Sequence, residues 1–222
     1  GIEVIYDVLT SVEKLGQLID IEIETEKGIP FEEVNTNTGI TIEFDNVSYS
    51  FPGEIHPTIN NVSIKIKSGE KICIAGLPGS GKSTFVNLAA TLFHNYNGHI
   101  IFNGVTIKNL DLLSLRSIVG ENLAKKDLIE GTISENISMG REDISYQDIR
   151  KATDAVGLSS FIQKTKNGLD TMLVPEDITI SSSVVTKIAM ARSIAENPQL
   201  FLLDNFLQNL KEKDKRIIIE SL

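Results

Sequence analysis

The run Gly76-Leu77-Pro78-Gly79-Ser80-Gly81-Lys82-Ser83-Thr84 carries the clearest chemistry in the chain. Gly76, Gly79 and Gly81 let the backbone curl so that several N–H groups point at one anion. A helix reading from Phe85-Val86-Asn87-Leu88-Ala89-Ala90 would add the positive end of its dipole to that field. Lys82 can reach outer phosphates, and the Ser83 hydroxyl can ligate Mg²⁺. The apolar run Ile72-Cys73-Ile74-Ala75 just upstream reads as a strand, so the order is strand, glycine-rich turn, helix. That is the context of a Walker A motif. The competing reading, a chance glycine-rich turn, fits poorly with the Gly-Lys-Ser tail and the flanking strand. Gly76, Gly79, Ser80, Gly81, Lys82, Ser83 and Thr84 are therefore the candidate triphosphate-binding residues.

A second acid belongs with this cradle. Leu200-Phe201-Leu202-Leu203-Asp204 is a short apolar run ending in a carboxylate. It fits a strand buried on both faces of an α/β sheet. Alone it is a weak signal, but behind a Walker A it reads as the Walker B element. Asp204 would then hold the nucleotide's Mg²⁺, directly or through water.

The rest of the chain has to position these groups. With 222 residues and 41% hydrophobic content it can bury a sizeable core, suiting one domain with appendages. No apolar run approaches the roughly 18 residues that span a bilayer, and no signal peptide is visible, which predicts a soluble, cytosolic piece. The single cysteine, Cys73, excludes an internal disulfide and reads as a small buried apolar residue. A net charge of −9 argues weakly against a nucleic-acid partner, which would need a basic face. His56, His94 and His99 have no metal-ligand spacing and read as surface or structural.

Residues 2–20 carry helical periodicity, with Ile5, Val8, Leu9, Val12, Leu15, Leu18 and Ile19 along one broad stripe. Asn35-Thr36-Asn37-Thr38-Gly39 looks like a linker. Strands are expected at 41–49 and 62–67, then a pair at 99–102 and 105–107 joined by Asn103-Gly104, a strong hairpin signal. Residues from about 126 to 196 have helical patterns broken by glycine and proline.

From about Ile40 to the last residue the chain resembles the nucleotide-binding domain of an ABC transporter, most closely the exporter type. Val47-Ser48-Tyr49-Ser50-Phe51-Pro52 resembles the family's aromatic loop, which assigns Phe51 to stacking on adenine and Tyr49 to packing. Thr132-Ile133-Ser134-Glu135-Asn136-Ile137-Ser138-Met139-Gly140 and Ile188-Ala189-Met190-Ala191-Arg192-Ser193-Ile194 resemble further exporter runs, as do Asn97-Gly98-His99-Ile100 and Leu115-Arg116. The resemblance implies a RecA-like α/β P-loop core with an antiparallel β-subdomain and a helical subdomain at about 126–196. It implies ATP and Mg²⁺ as cofactors. Residues 1–39 would be a linker helix and connector from a transmembrane domain, and 40–222 the ATP-binding domain. The partners implied are a second ABC ATP-binding domain and a transmembrane domain, not nucleic acid. The location implied is the cytoplasmic face of the inner or plasma membrane, as the soluble part of a membrane transporter.

The departures from the family pattern are as informative. Where active members carry a glutamate after the Walker B Asp, this chain has Asn205 at the general-base position. An amide cannot accept a proton from water as a carboxylate does. The signature Leu-Ser-Gly-Gly-Gln falls on Ile180-Ser181-Ser182-Ser183-Val184, where only Ser181 keeps the family residue. The Q-loop glutamine maps onto Ala124, or Lys125 in a slipped register, and the D-loop reads Gln208-Asn209-Leu210-Lys211. The family's switch histidine would follow one further helix and strand, whereas the sequence stops at Leu222 inside what reads as that helix. Truncation and genuine absence both remain open.

The expectation is thus an exporter ATP-binding domain that binds ATP and hydrolyses it poorly. A regulatory or scaffold domain is the alternative, and if nucleotide were lost altogether the complete Walker A would have no purpose. A working ATPase using Asp127, Glu176 or Asp177 as base is a third reading, with no support from sequence position. A soluble ABC protein of DNA repair or translation is opposed by the linker helix and the acidic balance.

Overall fold

The computed structural model describes residues 12, 14, 28–34, 39–122, 127–174 and 180–222. The predicted linker helix at 2–20 and linker at 35–39 lie almost wholly outside the described residues, as do Ala124, Lys125, Glu176 and Asp177. Val12 and Lys14 are helical and exposed.

The first body is a four-stranded antiparallel sheet in the order β2-β1-β3-β4: β1 Ile42–Tyr49, β2 Ile59–Ile66, β3 Asn97–Phe102 and β4 Val105–Thr106. β1 buries Ile42 and Phe44, then Val47 and Tyr49, so its inward alternation slips by one residue midway. A bulge absorbs the slip: pairing shifts register between Phe44 and Val47, and Asn46 takes a positive φ of 51°. The bulge keeps both halves of the strand facing one core. The Asn103-Gly104 hairpin forms as expected, with φ of 46° and 85°, the values of a type I′ turn. Asn103 Oδ1 also accepts from the Thr41 N–H at 2.8 Å, stitching the turn to the start of β1.

Against this sheet packs α2 (Lys82–Ala89), with Phe85 stacked on Phe44 at 4.3 Å. A four-residue helix, α1 (Phe31–Val34), is fixed beside α3 (Leu112–Arg116). The Ile29 N–H donates to Asn109 O at 2.8 Å, the Asp111 N–H to Ile29 O at 3.0 Å, and the Phe31 N–H to Ser114 Oγ at 2.8 Å. Phe31 is fully buried, edge-on to Phe102.

The second body is helical: α4 (Ile133–Ser138), α5 (Tyr146–Ala155), α6 (Ser159–Ile162) and α7 (Ser182–Ala195), with a small antiparallel pair of β6 (Gly131–Thr132) and β7 (Met172–Leu173). Thr132 and Glu135 cap α4 reciprocally, as Ser145 and Asp148 cap α5, so orphan N–H groups at both helix starts are satisfied. Between the bodies run two parallel strands, β5 (Val119–Asn122) and β8 (Leu200–Leu203), followed by α8 (Glu212–Ser221). Leu202 faces the first core; Leu203, Phe206 and Leu207 face the second. α8 is held to the helical body by Ile218 and by Lys187, whose Nζ bonds Asp214 at 2.8 Å and Gly157 O at 3.1 Å.

One sequence expectation is not met. Residues 71–77 run into the cradle outside any strand, and all are exposed, including Ile72, Ile74 and Leu77. Cys73, expected to be buried, is exposed as well. A strand exists only when a neighbour takes up its backbone groups, and among the described residues β5 and β8 pair with each other while the four-stranded sheet is complete without this segment.

Candidate functional site

The cradle forms the turn its glycines predict. Gly81 has a φ of 84° and immediately precedes α2, with no side chain capping the helix. A Cβ at Gly81 would meet the Thr58 carbonyl oxygen at 2.9 Å and Ile59 Cδ1 at 3.0 Å, so only glycine fits without displacement. Gly79 is also left-handed, at 79°, but faces open space. The uncapped helix start leaves its first N–H groups pointing outward, the arrangement that receives anions. Lys82 curls back over the loop: its Nζ donates to Gly76 O at 3.0 Å and Leu77 O at 2.8 Å. These bonds hold the ammonium at the loop. Ser83 is exposed and Thr84 buried, so the Ser83 hydroxyl is the one available to a metal ion.

Phe51 lies half-buried at the end of β1, edge-on to both Tyr49 (5.1 Å) and Phe93 (5.6 Å), while Tyr49 stacks on Phe93 at 4.9 Å. Tyr49 is buried at 8% exposure, as a packing residue should be, while Phe51 and Phe93 are both partly open. The loop that follows Phe51 returns through Thr58 to touch Gly81, so aromatic loop and cradle are neighbours.

Asp204 follows β8 directly and is half-buried, and α2 contacts β8. Asn205 is exposed with a φ of 49°, the left-handed region that asparagine tolerates better than most residues. The signature positions, residues 180–184, form the start of α7. Ser181 is its N-cap and accepts from the Val184 N–H at 3.4 Å; Ser182 and Ser183 are helical. Neither has a positive φ, so the backbone here does not require glycine.

Two features escaped the sequence reading. Asn136, fully buried, donates to Ile129 O and Thr132 O, both at 3.0 Å, and accepts from the Ile129 N–H at 2.9 Å. Arg192 of α7 bonds Asn136 O at 3.0 Å and reaches Asp127 O at 3.5 Å. Together they clamp residues 127–132 to α7. An Asn immediately after a Thr-x-x-Glu cap was the only signal, and it does not announce a buried network. The second is a cleft of about 350 Å³ away from the cradle, lined by Arg116, Arg141, Arg192 and Glu196 among others. Arg141 bridges Asp143 at 2.7 Å and Glu196 at 3.1 Å. Burial pushes the Glu196 carboxyl up and the Arg192 guanidinium down from their usual values.

Among the described residues there is no cluster of His, Cys, Asp or Glu arranged to hold a metal by itself, and His56, His94 and His99 are exposed. A cation here would depend on phosphate oxygens as well as protein ligands. The Ser83 hydroxyl and the Asp204 carboxylate are hard oxygen donors of the kind Mg²⁺ takes.

An uncapped helix behind a glycine loop, a lysine curled over it and an acid ending a parallel strand define a P-loop nucleotide-binding α/β protein. Comparison with known proteins narrows this. The family model described as "ABC transporter" matches residues 59–208. The chain is 35% identical over 182 residues to ABC transporter B family member 21 of Arabidopsis thaliana, covering 82% of this chain and 14% of that protein. It is 33% identical over 203 residues to the ATP-dependent lipid A-core flippase of Blochmanniella floridana, covering 91% of this chain and 35% of the relative. A bacterial Atm1-family ABC exporter solved with ATP bound superposes with a TM-score of 0.82 at 25% identity, over 98% of this chain and 38% of that one. The chain belongs to the ABC transporter family, and its fold is the exporter-type nucleotide-binding domain. It spans between 14% and 38% of the length of these relatives.

Proposed function

We propose that this chain is the ATP-binding domain of an ABC exporter, and that it holds Mg²⁺-ATP while turning it over slowly or not at all. In this reading the loop from Gly76 to Gly81 and the start of α2 wrap the phosphates, with Gly79 and Ser80 contributing backbone N–H groups. Lys82 moves from its loop carbonyls to the outer phosphates. Ser83 and Asp204 hold Mg²⁺, Thr84 secures the helix start, and Phe51 stacks on adenine. Residues 1–39 are the connector to a transmembrane domain, and 40–222 are the ATP-binding domain, on the cytoplasmic face of the membrane. The hydrogen bonds that seat Ile29 and Phe31 against residues 109–114 support a connector that transmits force to the core.

The observation that carries slow turnover is Asn205 directly after Asp204. Without a carboxylate to accept a proton from water, the rate falls by about 10²–10⁴. Ser182 and Ser183 add side chains at the helix end that the family presents to a nucleotide bound by the opposing domain. ATP would then act as an adhesive between two such domains, with closure rather than hydrolysis biasing the membrane portion. A non-catalytic domain regulating a partner transporter subunit uses the same chemistry and is the second reading, favoured by the same Asn205. The test is to load the chain with ATP and Mg²⁺, separate it from free nucleotide, and follow the bound species. Intact ATP persisting over many minutes supports the proposal; rapid conversion to ADP overturns it.

A further inference from the structure

The sequence holds three Asn-Gly pairs, Asn97-Gly98, Asn103-Gly104 and Asn167-Gly168, and every other asparagine precedes a larger residue. Such a pair can modify itself. The glycine's backbone nitrogen gives up its proton and attacks the asparagine side-chain carbonyl carbon, and a glycine has no Cβ to hinder the approach. A C–N bond closes a succinimide ring, the side-chain nitrogen leaves with that proton as ammonia, and water opens the ring to aspartate or isoaspartate. Closure swings the peptide between the two residues, so it needs a free side chain and a backbone able to turn. Local chemistry is the same at each pair; the fold makes them different.

Asn103 is pinned. Its Oδ1 accepts from the Thr41 N–H at 2.8 Å and the Thr41 hydroxyl at 3.1 Å, and its own N–H donates to Thr41 O at 3.1 Å. Asn97 stands in β3 opposite Ser48 of β1, and a side chain at Gly98 would run into the Asn46 carbonyl, so the ladder fixes this peptide. Asn167 has neither restraint. It is exposed in the turn between α6 and β7, at a φ of −111° and a ψ of 11°, and its side chain caps nothing. Among the described residues no hydrogen bond takes the Asn167 side chain or the Gly168 N–H. Gly168 has a φ of 58° and open space where a side chain would be. Closure must break the bond from the Asp170 N–H to Asn167 O, at 3.1 Å, which joins two exposed residues. Bonds to Gly168 O lie beyond its Cα, where the freedom of glycine absorbs the turn.

We propose that Asn167-Gly168 is a self-modification site of the folded protein, ageing to isoaspartate and aspartate while Asn97 and Asn103 are protected. Its position gives the change a consequence. Isoaspartate lengthens the backbone by a methylene just ahead of Leu169, which is buried in the helical body. Thr171 follows, and its carbonyl accepts from the Ile133 N–H at 3.0 Å at the start of α4. The test holds the folded chain and the chain in urea side by side at mildly alkaline pH. Both are digested in heavy-oxygen water, which labels any deamidation during digestion, and each pair is followed by mass spectrometry. An endoprotease specific for aspartate separates the products, since isoaspartate resists it. In the folded chain Asn167 is expected to react at least about tenfold faster than Asn97 or Asn103, which must first open locally. In urea the rates should fall within about threefold of one another, because the fold no longer separates them. Asn167→Gln should remove the signal and keep the melting temperature that the aged protein loses, a drop of about 2–4 °C. Asn97 or Asn103 reacting as fast as Asn167 in the folded chain would overturn the proposal. So would a preference for Asn167 that persists undiminished in urea, which assigns it to sequence rather than fold. An unchanged melting temperature in a largely modified sample would overturn the link to the helical body. No readout involves nucleotide, so the outcome stands apart from the ATP-binding reading.

Discussion

The carbonyl oxygen of Thr58 sits 2.9 Å from where a side chain on Gly81 would begin. Thr58 belongs to the loop that returns from Phe51, and Gly81 to the cradle. This contact is where the adenine side and the phosphate side of the proposed site meet. Gly81→Ala must both strain a left-handed residue, at about 1–2 kcal/mol, and push the Thr58 backbone away. Gly79→Ala faces the same φ cost with open space around it. Urea unfolding should rank them: Gly79→Ala loses about 1 kcal/mol and Gly81→Ala at least about 2. Equal losses would mean the Thr58 contact relaxes freely.

Asn205 predicts a conflict in any attempt to restore the family's base. At a φ of 49° a glutamate is less comfortable than asparagine. Asn205→Glu should therefore cost about 1 kcal/mol of stability. It should also leave turnover low, because Ser182 and Ser183 remain in the first turn of α7. Full recovery of ATPase activity from this one change would show that the signature serines are tolerated.

The clamp around Asn136 predicts a large stability effect remote from the cradle. Asn136→Ala leaves the part-buried Ile129 N–H and the Ile129 and Thr132 carbonyls without their side-chain partner, at about 1–3 kcal/mol. Asn136→Asp should be worse at neutral pH, since a carboxylate would face the carbonyls of Ile129 and Thr132 that now accept from the amide. Denaturant midpoints for the two variants check the order.

Glu196 predicts a pH signature. Burial raises its carboxyl above the ordinary value of 4.5, partly offset by Arg141, with Asp143 adding to the rise and Arg192 opposing it. A carboxyl whose pKa is higher in the fold binds its proton more tightly when folded. Its contribution is therefore greatest below about 4.5 and is lost as pH rises through the raised value. Glu196→Gln should accordingly gain in Tm relative to the unaltered protein between about pH 4 and about pH 7. A difference that falls over this interval would mean that the Arg141 pairing outweighs burial.

The parts legible in the sequence are those fixed by local chemistry. Asn103-Gly104 demanded a tight hairpin turn, the Walker A pattern demanded a loop and helix start, and an apolar run before Asp204 demanded a parallel strand, although only Leu202 of that strand is buried where burial on both faces was expected. What was not legible depends on partners distant in the chain. Ile72-Cys73-Ile74-Ala75 has every local mark of a strand, but pairing is a property of two segments, and among the described residues none pairs with it. The β1 bulge at Asn46 could not be read either, because the slip in alternation it absorbs is visible only once burial is known. Asn136 looked like an ordinary helix residue until the loop it holds was seen around it.

The central claim is that the Lys82 cradle binds Mg²⁺-ATP. Titration calorimetry of the chain with ATP and Mg²⁺, beside Lys82→Ala, tests it most directly. The account predicts saturable one-to-one binding that weakens by at least about tenfold, or about 1.4 kcal/mol, in the variant. Equal affinity in two folded proteins, or no binding to either, would contradict it.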